Sequence, residues 1–214
     1  MRGTLVSLCK PSLSLFLLVG ACAAPLAERE LTRPAYSVFS SSTVTEGEIL
    51  AQYGQPVSRG QLLKHDQLIH GLHYFRLSGD WSTRVRFKKH CWFYFAGQKY
   101  LGYSFVTGWP EEQVGFDEEK VSQVIKGKTT RDEVIAMFGP PDGMLRYPAM
   151  PDQTAAEGDS MVDYGYRLYS PNGGWVESKG LRIVFDPAGV VKDVVFEANK
   201  KNQTNGEDSR ANGL

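Results

Sequence analysis

The chain has 214 residues, with 24 basic and 24 acidic side chains, 42% apolar residues and a pI near 6.9. That balance excludes a wholly disordered protein, and zero net charge gives no electrostatic footprint for nucleic acid. No apolar run is long enough for a convincing membrane span, and the 12% aromatic share is the one unusual figure.

Residues 1–21 read as a bacterial secretion signal. Arg2 and Lys10 supply positive charge, no acid occurs in the segment, and Leu13 to Val19 form a short apolar core. Val19-Gly20-Ala21-Cys22 resembles the lipobox of bacterial lipoproteins, which implies cleavage before Cys22 and its lipidation. Several acyl chains hold a protein firmly, because each buried CH₂ contributes roughly 0.8 kcal/mol. Ala23 resembles the outer-membrane sorting pattern, so the expected location is the outer membrane, facing the periplasm. Cleavage also removes Arg2 and Lys10, leaving a slightly acidic chain. Cys9 departs with the signal, Cys22 carries lipid, and Cys91 has no disulfide partner.

Residues 22–42, with Pro25, Pro34 and Ser40-Ser41-Ser42, read as a flexible tether. An internal repeat follows. Thr45-Glu46-Gly47-Glu48-Ile49-Leu50-Ala51-Gln52-Tyr53-Gly54-Gln55-Pro56 aligns without gaps on Thr130-Arg131-Asp132-Glu133-Val134-Ile135-Ala136-Met137-Phe138-Gly139-Pro140-Pro141, 85 positions later. Each segment predicts a short helix: a Thr cap with Glu three residues on, an apolar stripe, then Gly and Pro as the stop. Strands are predicted at 72–77, 83–87, 91–95 and 99–106, and again at 144–147, 162–169, 181–185 and 190–196. Gly97 and Gly189 supply the turns of two matching hairpins. A further helix is expected over Asp117–Ile125, with its counterpart before Thr45 missing. The expected architecture is α+β: repeat one over 43–109, repeat two over 110–198, each with short helices on one face of an antiparallel sheet, and a disordered tail over 199–214.

The motif order Ile125-Lys126-Gly127-Lys128-Thr129-Thr130-Arg131-Asp132-Glu133-Val134, Phe138-Gly139-Pro140-Pro141 and Phe185-Asp186-Pro187-Ala188-Gly189-Val190-Val191 resembles the SmpA/OmlA (BamE-like) outer-membrane lipoprotein domains. In tandem, such units are similar to the β-lactamase inhibitory protein architecture, in which two units share a sheet. The resemblance implies a protein-binding role, with a barrel-assembly component as partner. An inhibitor or regulator of a periplasmic cell-wall-directed hydrolase is the alternative.

Alternation along the hairpins assigns Cys91, Phe93, Phe95, Leu101, Tyr103 and Phe105 to the helix-packed face, matched by Leu181, Ile183, Phe185, Lys192, Val194 and Phe196. Lys192 is the exception on that apolar face. The other face receives Trp92, Tyr94 and Tyr100, a candidate partner-binding surface that Tyr164, Tyr166 and Tyr169 could extend. His65, His70, His73 and His90 cluster beside Cys91 and raise a metal-binding alternative, although their spacing matches no zinc motif. Arg84, Arg86, Lys88 and Lys89 form a small basic patch. Glu111, Glu112, Asp117, Glu118 and Glu119 surround a helix start, where acids offset the helix dipole. No nucleophile elbow, P-loop, dinucleotide fingerprint or zinc-protease motif occurs, so neither catalysis nor a cofactor is expected.

Overall fold

The computed structural model describes residues 30–78, 87–169 and 175–200. Eight strands form one antiparallel sheet in sequence order: β1 (Ser58–Lys64), β2 (Gln67–Ser78), β3 (Phe87–Ala96), β4 (Lys99–Thr107), β5 (Gly143–Arg146), β6 (Ser160–Tyr169), β7 (Trp175–Phe185) and β8 (Val191–Lys200). Three short helices, α1 (Tyr36–Phe39), α2 (Glu46–Tyr53) and α3 (Arg131–Phe138), pack their buried residues into the core on one side of this sheet. This is the α+β class. No helix among the described residues is long and apolar enough to cross a membrane.

Both repeated segments fold as the capping signals require. Thr45 Oγ1 accepts from Glu48 N–H while the Glu48 carboxylate accepts from Thr45 N–H, and Thr130 with Glu133 does the same. Those backbone and hydroxyl donors hold the Glu48 and Glu133 carboxyls below the usual carboxylate range. Gly54 and Gly139 end the helices at φ of 80° and 78°. Ile49 and Tyr53 of α2, and Val134 and Phe138 of α3, enter one core with Leu72, Tyr74, Phe93, Tyr103, Val162, Tyr164 and Ile183.

The strand registers also correspond. Ser58 faces His73, and Gly143 faces Asp163; Tyr74 faces Cys91, and Tyr164 faces Leu181. Tyr74 Oη donates to Gly54 O at 2.9 Å, and Tyr164 Oη donates to Gly139 O at 3.0 Å. The first connection differs most. A two-residue turn joins β1 to β2, whereas residues 147–159 form a long loop between β5 and β6.

Several expectations change. The segment 30–42 is no tether: Leu31 and Phe39 are buried, and the Phe39 ring lies 5.4 Å from Phe93 and 6.1 Å from Tyr103. Arg33 pairs with Asp142 and stands over the Phe105 ring, while Arg146 donates to Ser40 O. α1 stands ahead of Thr45, where no helix was expected. The expected helix over Asp117–Ile125 is instead a 3₁₀ turn, Glu118–Gln123, capped by Asp117. β1 was not foreseen, because six of its seven residues are exposed and show no alternation. β8 carries Asn199 and Lys200, which were assigned to the tail; the rest of that tail, and the signal segment with Cys22, lie outside the described residues, as do 83–86 of one expected strand.

Candidate protein-binding face

Tyr100 does not belong to this face. A bulge shifts the β3–β4 register between Tyr94 and Phe95: Tyr94 faces Gly102, whereas Phe95 faces Tyr100. Leu101 is therefore the extra residue, and parity inverts across it. Tyr100 points into the helix-side core and is 0% exposed, where burial drives its phenol far above its usual range. The β7–β8 hairpin repeats the irregularity: Val184 faces Asp193, Phe185 faces Val191, and Lys192 is the extra residue. Val191 accordingly enters the core, and Lys192 leaves it to donate to Asp159 at 2.7 Å. One bulge, present in both hairpins, accounts for the misplaced Tyr100 and for the anomalous Lys192. Tyr164 also faces the core, and Tyr166 lies with Lys179 over its ring at 5.8 Å. The Tyr169 side chain is outside the described set.

Trp92 and Tyr94 remain on the helix-free side, and both are half-buried. Cross-strand pairing places His73 of β2 beside Trp92 of β3. The His73, His90 and Trp92 rings lie nearly parallel: 4.7 Å and 6° between His73 and Trp92, 5.0 Å and 2° between His90 and Trp92. Hydrogen bonds tie the array together, with Ser58 Oγ to His73 Nδ1 at 3.2 Å and His73 Nε2 to His90 Nδ1 at 3.1 Å. Phe75 packs on His90 at 4.8 Å. Removal from water lowers the pKa of both imidazoles, and His73 and Lys88 push His90 further in the same direction. Neutral rings stack without charge repulsion, and the result is a rigid aromatic plate.

Tyr94 is held differently. It packs with Tyr147 and Ala149 against a second apolar cluster of Leu145, Met150, Ala155, Met161 and Val184. The β5–β6 loop thus covers the centre of the helix-free side, and burial pushes the Tyr94 phenol up to about 12. Between this loop and β1 lies a groove of about 300 Å³ lined by Ser58, Gly60, Leu62, Gly71, Trp92 and Tyr94. Gly71 keeps the groove floor open over Tyr94, where a Cβ would rest in ordinary contact 3.7 Å from Tyr94 Cδ1. Leu62, 58% exposed, forms the outer lip.

The histidines divide into unrelated settings. His65 lies against Tyr147, and His70 stacks on Phe95 with its Nε2 3.8 Å from Glu46. Cys91 is buried in the core on the opposite side from His90, and burial raises its thiol pKa. Among the described residues, no three His, Cys, Asp or Glu side chains form a metal-binding group. Of the basic patch, Lys88 and Lys89 are described, and they part. Lys88 is exposed, but Lys89 is 1% exposed, with Nζ 2.5 Å from Glu112 Oε1 and 3.9 Å from the Trp109 ring centre. Arg84 and Arg86 are outside the described residues. Glu112 was assigned to a helix start, and instead neutralises this buried cation.

A scan against protein-family models finds no match, and a sequence search of curated proteins finds none either. The SmpA/OmlA resemblance therefore rests on the sequence motifs quoted above. Among solved structures, the chain is similar to a Streptococcus mutans protein named "putative beta-lactamase inhibitor protein", with a TM-score of 0.43 and 9% identity over 72% of this chain and 82% of that one. A likeness of this size carries no information about activity.

Proposed function

We propose that the chain is a non-enzymatic protein-binding module of the bacterial envelope, built from two copies of one α+β unit and anchored by lipid on Cys22. The carrying observation is the aromatic plate of His73, His90 and Trp92 beside an apolar groove, on the side of the sheet that no helix among the described residues covers. Rigid aromatics at the edge of a concave apolar surface are the usual anchors of protein interfaces, because they bury large area with little loss of side-chain freedom. The tandem reading is supported by the paired capping boxes, the matching Tyr–Gly hydrogen bonds and the bulge found in both hairpins.

Site-specific crosslinking from Ser104, on the helix-free side, tests the role. The expected result is capture of an envelope protein that falls about tenfold when Trp92 is replaced by Ala in a folded variant. Equal capture from the helix-side position Asp132, or capture untouched by Trp92→Ala, would reject this face. The identity of the captured protein separates the two partner classes: a barrel-assembly component or a cell-wall-directed hydrolase. Anchoring is tested by Cys22→Ser, which is expected to release the protein from the membrane fraction. Unchanged fractionation rejects the anchor.

A further inference from the structure

We infer that the free edge of β1 is a strand-addition site for an extended, acidic–apolar segment of the partner. This rests on the protein-binding reading, and extends it from a face to a mode of recognition.

The turn between β1 and β2 contains His65 and Asp66 at φ of 48° and 58°, the conformation of a two-residue hairpin loop. Such a loop closes on a hydrogen-bonded pair, here Lys64 with Gln67. Alternation then directs Ser58, Gly60 and Leu62 toward β2, and leaves the N–H and C=O groups of Arg59, Gln61 and Leu63 pointing outward. β1 is the first strand of the sheet, and no other strand among the described residues pairs with them. Edge strands in monomers are commonly blunted by proline or inward-pointing charge. β1 has no proline, and its centre is Gly60-Gln61-Leu62-Leu63, with Leu62 and Leu63 58% and 68% exposed.

Side-chain recesses flank this edge on both sides. Gly60 faces Gly71 across the ladder, and a Cβ on Gly60 would meet nothing within 4 Å. On the helix-free side is the groove floored by Trp92 and Tyr94. On the other side a recess of about 450 Å³ is lined by Arg59, Gln61, His70 and Leu72. An added strand sends alternate side chains into these two recesses. The first suits an apolar side chain and the second an acidic one, because Arg59 is half-exposed even while paired with Glu46. β1 carries Arg59 and Lys64 and no acid. A second β1 would therefore bring further cations to this edge, with Glu46 already engaged by Arg59, whereas an acidic strand complements them.

The probe is a synthetic peptide of about ten residues alternating Val and Glu, with an alternating Val and Lys peptide for comparison. Binding to the full chain in detergent is read by fluorescence anisotropy and by hydrogen exchange of the Arg59, Gln61 and Leu63 amides. The Val/Glu peptide is expected to bind and to slow exchange at those amides; the Val/Lys peptide is not. Gln61→Pro removes one outward donor without touching the β1–β2 ladder, and is expected to weaken binding about tenfold, while Gln61→Thr leaves it intact. Equal binding of both peptides, no binding, or binding without amide protection in the unmodified protein overturns the proposal. So does a concentration-dependent dimer abolished by Gln61→Pro, which would make the occupant a second copy. The two levels are read separately: peptide protection of the β1 amides in the unmodified protein survives a failed face, and capture from Ser104 survives a failed edge.

Discussion

Tyr74 Oη donates a hydrogen bond to the carbonyl of Gly54 at 2.9 Å, reaching from β2 to the end of α2. The last carbonyls of a helix have no partner within it, so the phenol supplies one. Tyr164 does this for Gly139. Each Tyr→Phe replacement keeps the ring and leaves the carbonyl unpaired, and is expected to cost about 1 kcal/mol in urea unfolding. Tyr74→Phe and Tyr164→Phe should cost similar amounts and add within about 0.5 kcal/mol. A large effect from one and none from the other would show that the two contacts are not equivalent.

The bulge in the β3–β4 hairpin makes a sharper prediction. Gly102 has φ of 132°, and a Cβ there would sit 1.9 Å from the carbonyl oxygen of Met144 in β5. Gly102→Ala is therefore expected to cost roughly 3 kcal/mol or more, because neither the turn of the backbone nor the neighbouring strand can yield. Gly180, where a Cβ meets nothing within 4 Å, is the control, and Gly180→Ala should be near neutral. Thermal unfolding of both variants is sufficient to decide.

The stacked imidazoles predict a pH dependence with a definite sign. His73 and His90 have pKa values below the ordinary 6.5, since packing strips water from their charged forms. The unfolded chain then binds more protons than the folded one in mildly acidic solution, and stability rises with pH across that interval. Their contribution is complete above pH 6.5 and is lost as pH falls from there through the depressed values. Replacing both with Phe is expected to remove this part of the slope between about pH 7 and pH 5 in denaturant titrations. An unchanged slope would show that neither ring titrates with folding.

Local signals were the legible part of the fold. The two capping boxes, the Gly stops and the hairpin turns at Gly97 and Gly189 all appear where residue chemistry placed them, because each is decided within a few residues. Failures came from long-range packing. Ser-rich residues 40–42 suggested a tether, yet Phe39 beside them is only 2% exposed in the core. The face of Tyr100 required knowing about a bulge, which changes parity without changing composition. The His73–His90–Trp92 plate is a product of strand register: His73 and Trp92 are neighbours only because β2 pairs with β3. Lys192 was the one legible clue, since a cation on an apolar stripe can mark a shift of parity.

The seam between the two halves has a mechanical meaning. β4 and β5 are joined by three residue pairs, Gly102 with Leu145, Tyr103 with Met144 and Ser104 with Gly143, while β3 and β4 are joined along most of their length. Two of these three pairs contain glycine, so the sheet there has little side-chain material to stiffen it. Cohesion across this crease comes from beneath the sheet: Arg33 pairs with Asp142, Arg146 donates to Ser40 O, and the Phe39 ring lies 6.1 Å from Tyr103. The short segment around α1 is thus a strap that holds the two stretches of sheet over one continuous core.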